Sequence, residues 1–269
     1  MQQKMGKGAI LAAIGLCLSV AGLVVIMLLT LWNESWMIGQ MEKSDYYSAA
    51  ARVARADCAE IISQSGVLGN IIEDFIPDDI VRQDIILSTD ALFRNSGAVT
   101  SSRFSNLKTT IEDIVYEETK QILSEADQSM NTAIQFQCEQ RYAQNVKTPF
   151  FTAISILLQY KQVSTPLLIA VLAIVFIGVI GLFVLSDTYQ QLFVSLAKAL
   201  ATAGIALFLF GVVVLYCGFQ NWMPNANIEY TLFVNWFRGL PIGCLLGGIV
   251  MMLCAGGVMW HSSKSHKGA

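Results

Sequence analysis

The chain has 269 residues, 54% of them hydrophobic and 14% charged, with a mean hydropathy of +0.54 and a formal net charge of −3. A soluble domain of ordinary usage carries about 25% charged residues, so this is not the composition of a wholly water-soluble globule. The charge is also segregated: residues 33 to 164 hold eighteen acidic and eleven basic side chains, and the rest holds two acids against six bases, the pattern of a membrane protein with one water-facing domain.

The first element is the apolar run from Gly8 to Trp32. It is long enough to cross ~30 Å of hydrocarbon, whereas the apolar heart of a signal peptide is about 7 to 15 residues and ends in a small-x-small cleavage site. No such site follows, and Leu16 before Cys17 does not fit a lipoprotein signal. The run is therefore expected to be an uncleaved signal anchor. Gly8, Ala12, Gly15, Ser19 and Gly22 recur at steps of 4, 3, 4 and 3, which suits a left-handed helix pair joined along small residues.

Residues 33 to 164 read as one helical domain of ordinary size. "NESWMIGQMEKSDYYSAAARVARADCAEIISQ" has no proline and is expected to prolong span one outward as one helix, up to Gly66 and Gly69. Pro77, followed by Asp78 and Asp79, starts a second helix that ends at Gly97. The stretch from Thr100 to Lys147 runs nearly fifty residues without Gly or Pro. Phe104, Leu107, Ile111 and Ile114, then Ile122, Ala126, Met130 and Ile134, form the stripe of a packed helix. Pro149 ends it, and "FFTAISILLQYKQ" is apolar enough to lie on a membrane surface. Strand alternation is nowhere sustained, so the fold class is all-α: a four-helix membrane base carrying a helical bundle.

Three further spans follow, at about 166–185, 192–219 and 239–260. Pro166 and Pro241 suit the first turns of the second and fourth, where a missing N–H costs nothing. Gly239, Gly243 and Gly247 form G-x-x-x-G-x-x-x-G, with Gly248 and Gly256 on an adjacent face; such seams let helix backbones approach within a chain or between chains. Lys4, Lys7, Lys198, Lys264 and Lys267 all fall on one side of four spans, which the positive-inside rule makes the cytoplasm. The expected layout is residues 1–32 as a cytoplasmic N-terminus and span one, 33–164 outside, 165–260 as the other three spans, and 261–269 as a cytoplasmic tail, in the plasma membrane. Trp32, Trp36, Trp222, Tyr230 and Trp236 would then form an aromatic belt at the outer interface.

Chemistry is sparse. Cys58 and Cys138 are the only cysteines of the outer domain, and an isolated pair outside a cell is expected to be a disulfide, worth ~4 to 5 kcal/mol in the chain-entropy picture. Two buried free thiols are the alternative. Both histidines, His261 and His266, lie in the tail, which removes Ser-His-Asp catalysis, His-bearing zinc sites and ferritin-like di-metal sites from the outer domain. Glu73, Asp74, Asp78 and Asp79 are carboxylates of the kind Ca²⁺ prefers, but without EF-hand spacing they read as a solvated face. Lys198 is the one ionisable residue at depth in a span, and it can snorkel. No cofactor and no nucleic acid is expected. The partners are the bilayer and either a second copy or another membrane protein. The expected function is a non-catalytic subunit, sensor or assembly factor acting by interaction. The alternative is an oligomeric channel, with Ser195, Thr202 and Tyr216 as lining.

Overall fold

A computed structural model describes residues 2–64, 69–94, 104–119, 124–186, 188–217 and 228–265. All regular structure among them is helical: α1 (Gln2–Leu29), α2 (Glu34–Lys43), α3 (Tyr46–Ser63), a 3-10 turn (Gly69–Ile71), α4 (Ile72–Phe75), α5 (Asp78–Phe93), α6 (Leu107–Thr119), α7 (Glu125–Asn145), α8 (Phe151–Val184), α9 (Tyr189–Tyr216) and α10 (Ile228–Ser265). Four of these helices are long and apolar enough to cross a membrane: Gly6–Leu29, Phe151–Val184, Tyr189–Tyr216 and Glu229–Ser262. The chain divides into an apolar unit, residues 1–37, 156–226 and 233–269, and a polar unit, residues 38–155 and 227–232.

The apolar unit is held by close backbone approach. A Cβ added at Gly204 of α9 would lie 2.7 Å from the carbonyl oxygen of Gly248 in α10, and one added at Gly248 would lie 2.6 Å from that of Gly204. Seven residues further along α9, a Cβ on Gly211 would lie 2.8 Å from the carbonyl of Pro241. Nothing larger than hydrogen fits where two helix backbones meet this closely. Against α9, α1 places Gly15, whose added Cβ would lie 3.3 Å from the Ala199 carbonyl, and Ser19, whose hydroxyl donates to Gly15 O at 2.9 Å and reaches Ala203 O at 3.4 Å. A back-bonded serine on a membrane helix hides its polarity in its own helix and leaves a small surface for a neighbour. Ile14 of α1 nests with Leu182, Leu192 and Ala199.

The polar unit is built around α3. Its alanine-rich face buries Ala51, Ala54, Cys58 and Ile62. On α7 the buried line is Asn131, Ile134, Cys138 and Tyr142. Phe104, Leu107 and Ile111 are buried as well, and Phe104 meets Tyr142 edge-on at 5.4 Å between ring centroids. α5 is tied in by a buried hydrogen bond, the Tyr142 hydroxyl donating to Asp84 at 2.6 Å. Thr148 adds a second tie, its N–H donating to Ser88 Oγ at 3.1 Å.

Several expectations are corrected. The helix read as a continuation of span one is three helices. It breaks at Thr30–Asn33 and again at Asp45, whose φ of 53° no helix accepts. Among its described residues the fifty-residue stretch forms two helices, α6 and α7, and α7 starts at a capping box: Ser124 accepts from the Asp127 N–H, and Asp127 accepts from the Ser124 N–H. Of its stripe, Ile134 is buried as expected, but Met130 is exposed and neighbouring Asn131 is buried in its stead. Ile122 lies outside the described residues, as does Gly97. Pro166 and Pro241 do not open helices but sit inside α8 and α10. "FFTAISILLQYKQ" is the first part of α8 and not a separate surface segment. Proline is tolerated there because neighbouring helices and local adjustment absorb the freed carbonyl in apolar helices.

Candidate functional site

α3 and α7 run antiparallel. Tyr46, Ala49, Ala50 and Val53 of α3 share a hollow with Gln144 and Asn145 of α7, while Cys58, further along α3, faces Cys138, earlier on α7. Ala51, Ala54 and Cys58 on the α3 face are small and buried, and longer polar side chains line the open side of the pair. The result is a cleft of about 470 Å³ lined by Asp57, Glu60, Ile61, Gln64, Gln137, Gln140, Arg141 and Gln144. One wall of it is braced by the Asn145 amide, which donates to Asp57 at 3.1 Å. Four glutamine amides offer both donors and acceptors, and Arg141 faces two acids. Chemically, such a lining can donate and accept hydrogen bonds and offers one cation beside two acids.

The two cysteines are both fully buried beside this cleft, as the sequence places them, but they are free thiols. The expected disulfide is therefore corrected. Each sulfur lies against the other residue's carbonyl, Cys58 Sγ 3.8 Å from Cys138 O and Cys138 Sγ 3.9 Å from Cys58 O. Each thiol is thus placed to donate a weak hydrogen bond across the seam. The hydrogen bond with the Cys138 side chain, then burial, pushes the Cys58 thiol well above the ordinary cysteine range.

Elsewhere in the polar unit, Arg55 donates to the Ile76 carbonyl at 2.7 Å and pairs with Asp78. That pairing takes one of the four candidate calcium carboxylates. Among the described residues, no three of His, Cys, Asp and Glu are gathered to hold a metal ion. Arg82 bridges Glu42 at 2.5 Å and lies over the Tyr47 ring at 5.7 Å.

The seam residues of the apolar unit separate. Gly15 and Gly22 meet α9, Gly243 meets Ile26 of α1 at 2.6 Å from an added Cβ, Gly247 meets the same side chain at 3.4 Å, and Gly248 meets α9. Gly8 and Gly256 face open space, and Ala12 is exposed. Packing within the chain thus uses most of both seams. Sequence reasoning missed Gly204 and Gly211, although their seven-residue spacing on α9 marks one helix face.

The aromatic belt is also corrected. Trp32 and Trp236 are buried, and Trp222 lies outside the described residues. The Trp32 indole donates to Leu157 O at 2.9 Å, and the Trp36 indole donates to Trp236 O at 3.1 Å while its ring covers Gly239. Lys161 donates to the Trp32 carbonyl at 3.3 Å. These tryptophans join helices; they do not ring a surface. Of the pore-lining candidates, Thr202 packs on Gly15 and donates to Lys198 O, and Tyr216 is almost wholly exposed.

The chain matches no family model, no curated protein and no solved structure. The described residues define an all-helical chain with four helices suited to a membrane and, beside the apolar unit in the division of the chain, a polar helical unit.

Proposed function

We propose that this chain is a non-catalytic plasma-membrane protein that presents its polar helical unit to the outside and acts by binding another protein, as a complex subunit, sensor or assembly factor. The observation that carries the reading is the glutamine-lined cleft between α3 and α7, which offers amide donors and acceptors around Arg141 on the face of a braced helix pair. A polar polypeptide segment satisfies such a surface, because amide side chains pair with peptide groups. The charge distribution supports an outward cleft: Lys4, Lys7, Lys198, Lys264 and Lys267 belong to one side, against Lys161 and Arg238 at the span ends of the other. The test is purification of the full chain in mild detergent followed by mass spectrometry of what accompanies it. A stoichiometric partner is expected, and Arg141→Glu is expected to lose it with size and melting temperature retained. A stable, partner-free chain that turns over a substrate would overturn the proposal.

A further inference from the structure

Where α9 begins, α10 ends, and the Gln190 amide of α9 donates to the Ser262 carbonyl of α10 at 2.7 Å. Beside this contact is a cavity of about 420 Å³ lined by Gln190, Phe193, Val258, His261 and Ser262. Ser262 is only 9% exposed, yet its hydroxyl has no partner among the described residues. A buried hydroxyl without a partner is costly, so a polar ligand atom is the expected occupant. On the other side of the same helix start, a second hollow is lined by Ser186, Thr188, Tyr189 and Leu192, and the Ser186 hydroxyl is also buried and unpartnered.

The helix start selects the sign of the ligand. The Thr188 hydroxyl accepts from the Gln191 N–H, and the Leu192 N–H joins the helical ladder at the Thr188 carbonyl. The N–H groups of Tyr189 and Gln190, ahead of the ladder, have no helical acceptor. They carry the positive end of a 28-residue helix. The Gln190 amide engages the Ser262 carbonyl of α10, which satisfies one negative pole beside the helix start. Oxygen-rich anions, phosphate above all, fit such a place. The cavity's other wall, Phe193 and Val258, is apolar and partly exposed, and it lies at the ends of two candidate membrane spans. We propose that this cavity is a phospholipid site: the headgroup phosphate sits at the start of α9 against the Ser262 hydroxyl, and the acyl chains run along Phe193 and Val258. The inference is independent of the α3–α7 cleft.

The experiment titrates the full chain in detergent with dihexanoyl phosphatidylglycerol, dihexanoylglycerol and inorganic phosphate, with native mass spectrometry as the readout. One tightly retained phosphatidylglycerol is expected. Ser262→Ala should weaken it about tenfold, the value of one hydrogen bond to a charged acceptor. Gln190→Glu, which sets a carboxylate at the same place, should abolish it, and Gln159→Glu on α8 should leave it unchanged. Elution volume and melting temperature report folding of each variant. Should Gln190→Glu not fold, Ser262→Ala alone decides. Equal retention of dihexanoylglycerol, binding indifferent to Ser262→Ala, or uptake of inorganic phosphate without the lipid would each overturn the assignment.

Discussion

Among single residues, the sharpest contrast lies between glycines that look alike in sequence. A methyl group at Gly204 would sit 2.7 Å from a backbone carbonyl of the neighbouring helix, and at Gly256 it would meet nothing within 4 Å. Gly204→Ala should therefore cost about 1 to 3 kcal/mol by overpacking, and Gly256→Ala should be close to neutral; thermal unfolding of the two variants in one detergent reads the difference. Tyr47 supplies a pH-dependent case. Burial first, then the Glu42 carboxylate, against Arg82, raises its hydroxyl to about 12. The folded state therefore holds this proton more tightly than the unfolded chain, whose tyrosine titrates near ~10. The stabilisation is present below that value and is lost as pH rises from about 10 to about 12. Tyr47→Phe should flatten the alkaline limb of a urea-unfolding series. At neutral pH it should be harmless or stabilising, since the buried hydroxyl has no partner. Both thiols of the α3–α7 seam are fully buried. A maleimide should therefore leave Cys58 and Cys138 untouched in native protein, and both should react after denaturation without reductant. A pair that stays unreactive until reduced would contradict the free-thiol arrangement.

For whole elements, helix starts are governed by short-range chemistry and were readable where that chemistry is local. Pro77 and its two following acids mark the first turn of α5, as they do in the sequence. The capping box at Ser124 and Asp127 is equally local. Ser124→Ala should lower the stability of the polar unit by about 1 kcal/mol, with faster amide exchange confined to the first turn of α7. Asp45 and the two helix-internal prolines were not readable. Asp45 takes φ 53° between α2 and α3, and both prolines lie inside helices that continue through them, against their local preference for a first turn. Met130 on α7 is a similar case. Asn131 is buried on the side facing the unit's interior, and hydrophobicity alone marks Met130 instead.

For the molecule as a whole, the division into an apolar and a polar unit follows directly from the charge segregation, and four candidate spans emerge from length and composition alone. The pairing of those spans was only partly readable, because small residues mark a face without naming the helix that meets it. Of the α3–α7 cleft one wall was readable: Gln137, Gln140 and Gln144 step by 3 and 4 along one face of α7, but nothing in that spacing names Gln64 at the end of α3 as what faces them. The side of the membrane on which the polar unit lies is open to direct measurement. Asp79 is exposed at the start of α5. Asp79→Cys should be labelled by a membrane-impermeant maleimide in intact cells, with the parent chain as the blank. Labelling only after permeabilisation would invert the proposed topology.

The packing of α1 against α9 sets a timetable. Gly15 and Ile14 find Ala199 and Leu192 as neighbours, and these lie more than 170 residues downstream in the chain. At ribosomal rates of about 5 to 20 residues per second, α1 must wait roughly ten to forty seconds for them. Through that interval the first helix is a lone hydrophobic segment with an uncovered small-residue face. Early synthesis is thus the moment when this chain is most open to mispairing with other membrane helices. A membrane chaperone or a second nascent copy would find the Gly15 and Gly22 face open there, whereas the finished bundle covers it.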